Sequence, residues 1–365
     1  MSGVIVHEWL AKNGGSENVV EVLASIFPDA PIVSLWEDAP SRFRSGRVLE
    51  TWMSKTPLRN HKAAALPLMP LVWRNLPSVR ADWILCSSHL FAHHAKFRKQ
   101  LAGVEKFVYV HTPARYIWAP ELDGRGNGLF ARSLSLPLKA LDRRRAQEAT
   151  SIAANSMFIQ KRISQAWGRD STVIYPPVNV AEFAADPREL LTAAELEVLD
   201  SLPSAFVLGA SRFVPYKRLE DAISAGWAAD LPVVLAGDGP DELRLRAFAG
   251  RRPGTVTFVP RPSSAMLNEL FRRALVYVFP PIEDFGIMPV EVMATGTPVV
   301  ANAVGGAAES VIHGVTGALV RSFDRRSLKE AVELAAAANK QDCIDRAWQF
   351  DTGVFEERIR EWVGE

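Results

Sequence analysis

The chain has 365 residues, and its 42 basic and 41 acidic side chains leave a net charge of +1. This length favours two domains, each large enough to bury a core, and the balanced charge argues against a dedicated nucleic-acid-binding protein. Hydrophobic residues make up 48% of the chain and charged residues 23%, which is typical of a globular enzyme.

The two cysteines, Cys86 and Cys343, lie far apart and in apolar surroundings. We therefore expect reduced thiols in a cytosolic protein rather than a disulfide. The first predicted strand begins almost at Met1, so no signal peptide is expected. The most apolar long stretch, residues 63–73, is interrupted by two prolines, which predicts that nothing spans a membrane.

The chain opens with a predicted buried strand over residues 3–7, followed by a glycine pair and a helix that runs to Phe27. The pair, Gly14 and Gly15, would let a ligand approach the backbone closely at a helix start. A plain tight turn explains the same two residues equally well. The dinucleotide-binding fingerprint is excluded because it needs three spaced glycines.

After a second predicted strand at residues 31–36 comes a segment from Arg42 to Arg74, which we call the basic segment. It carries seven cations against the single acid Glu50, interleaved with tryptophans, leucines and methionines. One interpretation is a surface that docks on an anionic membrane. The other is that the apolar residues are core and the cations are merely solvated.

Two further strands are predicted at residues 83–87 and 106–111, joined by a helix that carries His89, His93 and His94. Histidines at helical spacing are compatible with a metal site, but no acid or cysteine nearby in sequence completes a ligand set. We therefore favour a solvated or partly buried helix face.

The remainder of the first half ends in a stiff proline pair. Residues 123–128 are predicted to be a flexible loop that could act as a lid. A strand at residues 151–155 and a helix at 157–167 follow. Residues 175–178 then close the first half, which predicts domains at 1–175 and 176–349, followed by a final helix of about 350–365.

The second half repeats the alternation of strands and helices, which predicts a parallel sheet in each half. Predicted strands lie at residues 206–209, 233–236, 255–259, 274–279 and 299–301, and the chain from 324 to 365 is predicted to be helical throughout. Arg212 and Lys217 share one strand-to-helix loop, where such sheets bind ligands. Arginine offers phosphate a bidentate fork and lysine a point charge.

Two acids, Glu283 and Glu291, stand on either side of a predicted helix start with Pro289 in its first turn. Glu291 alone could be an ordinary acid that compensates the helix dipole. Glu283 lies outside the helix, at the carboxyl end of a strand, where no capping role requires it. Two cations for a diphosphate and two carboxylates for hydroxyls together predict a nucleotide-sugar site.

These motifs resemble glycosyltransferase family 4, retaining enzymes of the GT-B fold. The resemblance rests on Glu283-Asp-Phe-Gly-Ile-Met-Pro-Val-Glu291, the following Gly296-Thr-Pro and the Arg212…Lys217 loop, with support from Gly14-Gly15-Ser-Glu and Val304-Gly-Gly…Glu309. It implies an α/β fold of two Rossmann-like parallel-sheet domains that face each other across a cleft. The C-terminal helix would cross back to the first domain.

The resemblance also implies roles for individual residues. Arg212 and Lys217 would hold the donor diphosphate, and Glu283 would contact hydroxyls of the transferred sugar. Glu291 would bind the ribose. The remaining implied contacts are backbone groups of Phe285, Gly286 and Ile287 to the sugar, Arg261 beside the base, His111 on the donor sugar and Gly14 with Gly15 on the diphosphate.

The combination of His111-Thr-Pro-Ala-Arg-Tyr with Glu283-Asp-Phe-Gly-Ile is similar to the branch of bacterial mannosyltransferases in O-antigen and exopolysaccharide synthesis. That branch implies GDP-mannose as donor and a glycan or polyprenyl-linked acceptor. No cofactor is expected, and the protein is expected to be cytoplasmic, with the basic segment as a candidate contact on the inner face of the membrane.

The chain contains no Asp-x-Asp pair, which binds the diphosphate through a metal in many such enzymes, so metal-independent transfer is expected. The developing charge would be met by Arg212, Lys217 and helix N-termini. The resemblance implies retention by front-face substitution, with no attacking side chain. The rivals are a nucleotide-sugar 2-epimerase or hydrolase on the same fold, and a catalytically inactive binding subunit.

Overall fold

A computed structural model describes residues 2–12, 14–100, 103–119 and 129–364. The predicted lid, residues 123–128, lies outside this part of the chain. The contacts divide the chain into two units. Unit 1 comprises Met1–Pro177 with Phe355–Glu365, and unit 2 comprises Val178–Val354.

Unit 1 is built on a seven-stranded sheet, parallel throughout, in the order β3-β2-β1-β4-β5-β6-β7. Its strands are β1 (Gly3–His7), β2 (Ile32–Ser34), β3 (Val48–Glu50), β4 (Trp83–Ser88), β5 (Glu105–Val110), β6 (Ser151–Ala154) and β7 (Thr172–Val173). Its helices are α1 (Gly15–Ile26), α2 (Lys62–Ala65), α3 (Met69–Trp73), α4 (Arg115–Trp118), α5 (Leu129–Ala146) and α6 (Met157–Trp167).

Unit 2 has a six-stranded parallel sheet in the order β10-β9-β8-β11-β12-β13. Its strands are β8 (Val207–Ala210), β9 (Val233–Ala236), β10 (Val256–Val259), β11 (Val276–Phe279), β12 (Val299–Asn302) and β13 (Gly317–Val320). Its helices are α7 (Val180–Ala184), α8 (Ala193–Ser201), α9 (Leu219–Ala228), α10 (Glu242–Ala249), α11 (Ser264–Arg273), α12 (Ile287–Ala294), α13 (Ala307–Ser310), α14 (Arg325–Ala336) and α15 (Lys340–Trp348).

The strands form where β-branched runs can be buried on both faces, as a parallel sheet with helices on each side requires. β1 and β11 are buried along their whole length. Helix ends follow local chemistry: the Ser156 hydroxyl accepts a 3.0 Å hydrogen bond from the Ile159 N–H and begins α6. The expected α/β architecture with a parallel sheet in each half is confirmed.

In each sheet the strand order reverses direction at one place, the topological switch point. In unit 1 this lies between β1 and β4, and in unit 2 between β8 and β11. Loops that leave neighbouring strands in opposite directions open a crevice there, and open α/β sheets bind ligands in it. The switch points are therefore the first places to look for functional side chains.

The C-terminal prediction needs a correction, because residues 324–365 form three separate helices. α14 and α15 are followed by α16 (Thr352–Val363), with breaks around residues 337–339 and 349–351. The last helix packs on unit 1: the Phe355 ring lies 5.7 Å from that of Tyr109, and the Trp362 indole donates a 2.7 Å hydrogen bond to the Ser151 hydroxyl. None of the described helices combines the length and apolarity needed to cross a bilayer.

Candidate active site

The switch point of unit 2 brings Lys217 and Glu283 into contact. Lys217 ends a 3₁₀ turn in the loop after β8, and Glu283 follows β11. The Lys217 ammonium lies 2.7 Å from Glu283 Oε1, and both side chains are more than four-fifths buried. A short charge-assisted bond of this kind fixes both groups at the carboxyl edge of the sheet.

The two other predicted cations of unit 2 are more exposed. The Arg212 guanidinium lies 3.4 Å from the Tyr216 hydroxyl and is exposed beside the Lys217 turn. Arg261 is 81% exposed, 3.9 Å from the carboxylate of Asp238, and has a positive φ of 46°. Left-handed backbone in a non-glycine residue costs free energy and is concentrated at functional sites. Both arginines can reach a ligand in solvent.

The loop that carries Glu283 is held by close backbone packing against residues 305–306. The Gly306 N–H donates a 2.8 Å hydrogen bond to the Glu283 carbonyl. A Cβ at Gly306 would fall 2.2 Å from the Asp284 carbonyl oxygen, so only glycine allows this approach. The Val304-Gly-Gly turn therefore positions the Glu283 loop.

Predicted sugar contacts lie at the start of α12. Gly286 has φ 87° and precedes the helix, and Ile287 is its first residue. The first N–H groups of a helix have no partner within it, so they can serve a sugar or phosphate oxygen. The Phe285 side chain is buried, with its ring 5.5 Å from that of Phe350. Any ligand contact of Phe285 therefore uses its backbone.

Glu291 is partly buried within α12 and has an unusual protonation equilibrium. Burial, together with the nearby carboxylate of Glu182, raises the pKa of Glu291 to about 7. This raised pKa differs from that of an ordinary ionised acid in a first helical turn, and the role of Glu291 stays a prediction. A carboxyl group that is half protonated near neutral pH can accept hydrogen bonds from hydroxyls and can also donate one.

Unit 1 places His111 just after β5 in a buried hydrogen-bonded chain. His111 Nε2 lies 2.8 Å from the Ser87 hydroxyl, which lies 3.1 Å from His7 Nδ1. Burial, with repulsion from His7 and His89, holds the pKa of His111 well below its usual range. His111 is therefore neutral at physiological pH, and hydrogen bonding is its available chemistry.

The glycine pair of unit 1 lies at the start of α1 beside an acid. A Cβ at Gly14 would fall 2.1 Å from Glu17 Oε2, and Gly15 is the first helical residue. Glu17 also accepts hydrogen bonds from the Ala11 N–H at 3.2 Å and the Ser16 hydroxyl at 2.8 Å. Its carboxylate occupies the helix start where a diphosphate was predicted. The role of the pair stays a prediction.

The prediction of a helix carrying three histidines is wrong. Residues 89–94 form a loop with a 3₁₀ turn at Ala92–His94, and His93 and His94 are buried. An acid does complete a set: Asp142 Oδ1 lies 3.1 Å from His93 Nε2 and 3.0 Å from His94 Nε2. Asp142 comes from α5, so sequence proximity could not reveal it.

Among the described residues, two groups of three side chains have ligand atoms close enough together for a metal ion. They are His93-His94-Asp142 and His7-Glu8-His89. In the first, Asp142 Oδ2 already accepts 2.7 Å hydrogen bonds from the indoles of Trp118 and Trp167. In the second, His7 Nδ1 lies 3.0 Å from the Ser87 carbonyl oxygen. Since a carbonyl only accepts, this nitrogen carries hydrogen, which leaves Nε2 as the ligand atom that His7 could offer. In both groups the carboxylate already accepts hydrogen bonds from protein donors.

Sequence reasoning missed Glu8, Ser87 and Glu182. The sequence did contain a signal for Glu8 and Ser87. Each is a polar residue at or just after the end of a buried strand, and the ends of these strands meet at one edge of the sheet, where ligands bind. Glu182 lies on the short helix α7, far from Glu291 in sequence, and no pattern connected them.

Residues 197–346 match the family model described as glycosyl transferases group 1. The match lies within unit 2. D-inositol 3-phosphate glycosyltransferase of Mycobacterium avium (strain 104) is 37% identical over 163 residues, which cover 42% of this chain and 37% of that protein. The chain thus spans under half the length of the curated relatives it matches. The group 1 match includes Arg212, Lys217, Glu283 and Glu291, while their roles stay predictions.

Solved structures show the fold. The Anabaena protein HepE in complex with UDP matches all of both chains with a TM-score of 0.75 and 20% identity. Sucrose-phosphate synthase from Thermosynechococcus elongatus covers 100% of this chain and 98% of its own, with a TM-score of 0.70 and 17% identity. The expected GT-B class of two Rossmann-like domains is confirmed.

Proposed function

We propose that the protein is a glycosyltransferase that moves a hexosyl group from a nucleoside diphosphate sugar to a hydroxyl of a glycan or lipid-linked acceptor. The observation that carries this proposal is the Lys217–Glu283 pair at the switch point of unit 2. It sets a phosphate-binding cation beside a hydroxyl-binding carboxylate, and Arg212 is exposed in the same loop.

On this proposal, Arg212 and Lys217 meet the negative charge of the leaving diphosphate, and Glu283 orients the sugar. Glu291 holds the ribose, Arg261 lies beside the base, and backbone groups at the start of α12 complete the donor site. His111, which is neutral, would hydrogen-bond to the sugar. The reaction would proceed with retention and without a metal, because the phosphate clamp consists of side chains.

The donor proposed is GDP-mannose, on the sequence resemblance. UDP-glucose is the alternative to test beside it, because HepE has been solved with UDP-glucose. The matched relatives carry the name D-inositol 3-phosphate glycosyltransferase, so inositol phosphate belongs among the acceptors tested.

The acceptor would be reached at an anionic membrane surface, with the basic segment as the contact. Support comes from Trp52 and Leu71, which are 55% and 62% exposed. Other members of the segment contact the rest of the protein. Arg59 lies 2.7 Å from Asp38 and Arg74 pairs with Glu148, while Met53 and Trp73 are buried in the core. The membrane contact proposed here is therefore smaller than the sequence indicated.

The deciding experiment measures release of nucleoside diphosphate from GDP-mannose and UDP-glucose with and without a mixture of glycan and inositol phosphate acceptors, in EDTA. We expect one donor to turn over only when an acceptor is present, with the anomeric configuration retained in the product. Turnover without acceptor would indicate the rival epimerase or hydrolase. Strict dependence on a divalent cation would contradict the metal-independent clamp.

A further inference from the structure

Unit 1 has its own acid–base pair at its switch point, formed by Glu8 and His89. Glu8 directly follows β1 and His89 directly follows β4, the two strands between which the sheet order reverses. His89 Nδ1 lies 3.2 Å from Glu8 Oε2. The position matches that of Lys217 and Glu283 in unit 2, where ligands of such sheets bind.

Glu8 is fully buried and is held rigidly as a carboxylate. Its Oε1 accepts hydrogen bonds from the N–H groups of residues 89, 90 and 92 at 3.1, 2.8 and 2.9 Å, and from the Ser88 hydroxyl at 3.2 Å. Burial opposes ionisation, but His89, His7 and these N–H groups outweigh it and lower the pKa of Glu8 to about 2. All these contacts use Oε1, so Oε2 is directed at His89.

The carboxylate determines which nitrogen of His89 carries hydrogen. A lone pair on Nδ1 only 3.2 Å from an anionic oxygen would be repelled, so in neutral His89 the hydrogen belongs on Nδ1. Nδ1 and Glu8 Oε2 are both buried, and in the described residues neither has an aligned hydrogen bond. Such contacts often become aligned only when a ligand binds.

In the neutral ring the other nitrogen, Nε2, has the lone pair and is the hydrogen-bond acceptor. The His89 side chain is 21% exposed while its Nδ1 is buried, and no protein group in the described residues bonds Nε2. The ring is held in place by Trp9, edge-on at 4.8 Å between centroids, and by His7 at 5.4 Å. The pair therefore presents one oriented acceptor atom to solvent.

We propose that Glu8 and His89 form a hydroxyl-binding site for the acceptor, in which His89 Nε2 accepts the hydrogen of a sugar or cyclitol hydroxyl. This inference rests on the proposed glycosyl transfer and adds the acceptor contact that the sequence left unassigned. His89 touches the acceptor, and Glu8 is a positioning residue that fixes the ring and its tautomer. No covalent step at His89 is involved.

The first test is independent of activity and uses the full chain labelled with ¹⁵N-histidine. Long-range ¹H–¹⁵N spectra report the tautomer of His89, and methyl α-D-mannopyranoside and myo-inositol 1-phosphate serve as probes. We expect hydrogen on Nδ1, and a shift of the Nε2 resonance with at least one probe. Hydrogen on Nε2, or an Nε2 resonance that neither probe moves, would overturn the inference even if the enzyme transfers sugar.

The second test uses a matched pair of substitutions. His89→Asn keeps an amide near the position of Nδ1 and removes the outward acceptor, whereas His89→Gln places an amide oxygen near Nε2. We expect His89→Asn to raise the acceptor KM by tenfold or more and His89→Gln to restore part of the loss. Nucleoside diphosphate binding should stay unchanged in both, as in the control Lys329→Ala on the exposed surface of unit 2.

Glu8→Gln should mimic His89→Asn in acceptor KM and should change the His89 tautomer signal. A thermal melt identifies any variant that fails to fold. If Glu8→Gln fails to fold, the comparison of His89→Asn with His89→Gln decides the test. Equal acceptor KM in His89→Asn and wild type would overturn the inference. A wild type that transfers nothing to any acceptor would instead contradict the proposed function, and the spectra would still decide the site.

Discussion

Lys217 Nζ lies 2.7 Å from Glu283 Oε1, so the predicted phosphate cation and the predicted sugar carboxylate are bonded to each other before any donor arrives. Their strands, β8 and β11, are neighbours at the reversal of the sheet. The same ammonium lies 5.6 Å from the centre of the Phe279 ring. On the proposed roles, a diphosphate would compete with Glu283 for Lys217, so the two roles would be energetically coupled.

Removing either partner should have opposite effects on nucleotide binding. Lys217→Ala should weaken binding of the nucleoside diphosphate and lower kcat by about a hundredfold, because a preorganised electrostatic donor is lost. Glu283→Ala should abolish transfer yet bind the free nucleotide as tightly as wild type or more tightly, since Lys217 is released. Isothermal calorimetry on both variants and the double variant measures the coupling.

Lys329→Ala, on the exposed surface of α14, is the matched control and should leave both quantities unchanged. If Glu283→Ala loses nucleotide affinity as Lys217→Ala does, Glu283 contacts the nucleotide itself and the division of roles is wrong.

The pKa of Glu291 predicts a specific dependence of stability on pH. Because the pKa is raised from an ordinary value of 4.5 to about 7, protonated Glu291 stabilises the folded chain at low pH. This contribution is complete below pH 4.5 and is lost as the pH rises through 7, by up to about 3 kcal/mol at 1.36 kcal/mol per unit. Urea unfolding of wild type and Glu291→Gln between pH 4.5 and 8.5 should converge at the acidic end. A difference that is constant across this range would show an ordinary pKa.

Gly306→Ala should lower activity by displacing Glu283 without touching a substrate. The new Cβ would fall 2.2 Å from the Asp284 carbonyl oxygen, so the loop must move. We expect kcat to fall at least tenfold while the fold persists, with stability lowered by about 1–3 kcal/mol. Gly250→Ala is the control, because its Cβ would meet nothing closer than 3.5 Å. Unchanged kcat in Gly306→Ala would show that the turn does not position Glu283.

Local pattern predicted most of the sheet structure. Strands β1 and β9 and helix α6 have the expected bounds, since a buried apolar run between turn residues leaves few alternatives. The prediction for the three histidines was wrong because it assumed the spacing of a helix in a segment that is a loop. Pairings such as Glu8 with His89, or Asp142 with His94, join residues 81 and 48 positions apart. The strand order sets the first contact and the packing of α5 against the 3₁₀ turn sets the second, and neither is written in any local pattern.

The buried carboxylate of Asp142 should be among the most sensitive positions of unit 1. It accepts from two indoles and contacts two histidines, and although burial raises its pKa, the two histidines lower it by more. Asp142→Asn removes the charge but keeps the shape, and should cost about 3 kcal/mol, as expected for breaking a buried ionic network. Thermal unfolding against Asp200→Asn, whose side chain is 77% exposed, measures this. A loss below about 1 kcal/mol would mean that the partners find other acceptors.

The membrane contact can be tested on the exposed residues of the basic segment. Trp52 and Leu71 are the large apolar side chains most exposed there, and the exposed Lys55 and Lys62 supply charge, with the Lys62 ammonium also 4.2 Å from the centre of the Trp9 ring. Each cation near an anionic surface contributes about 1 kcal/mol, and an interfacial tryptophan adds apolar burial. Trp52→Ser with Leu71→Ser, and separately Lys55→Glu with Lys62→Glu, should each reduce co-sedimentation with vesicles rich in phosphatidylglycerol at least fivefold at low salt.

Salt separates the two contributions, because screening weakens attraction between exposed charges but not apolar burial. Raising salt should therefore release wild-type protein, and should have little further effect on the double glutamate variant. Leu243→Ser, which changes a side chain 83% exposed on unit 2, is the matched control for losing surface hydrophobicity. Wild-type protein that stays in the supernatant at low salt, or sediments equally after both double substitutions, would show that this segment does not bind the membrane.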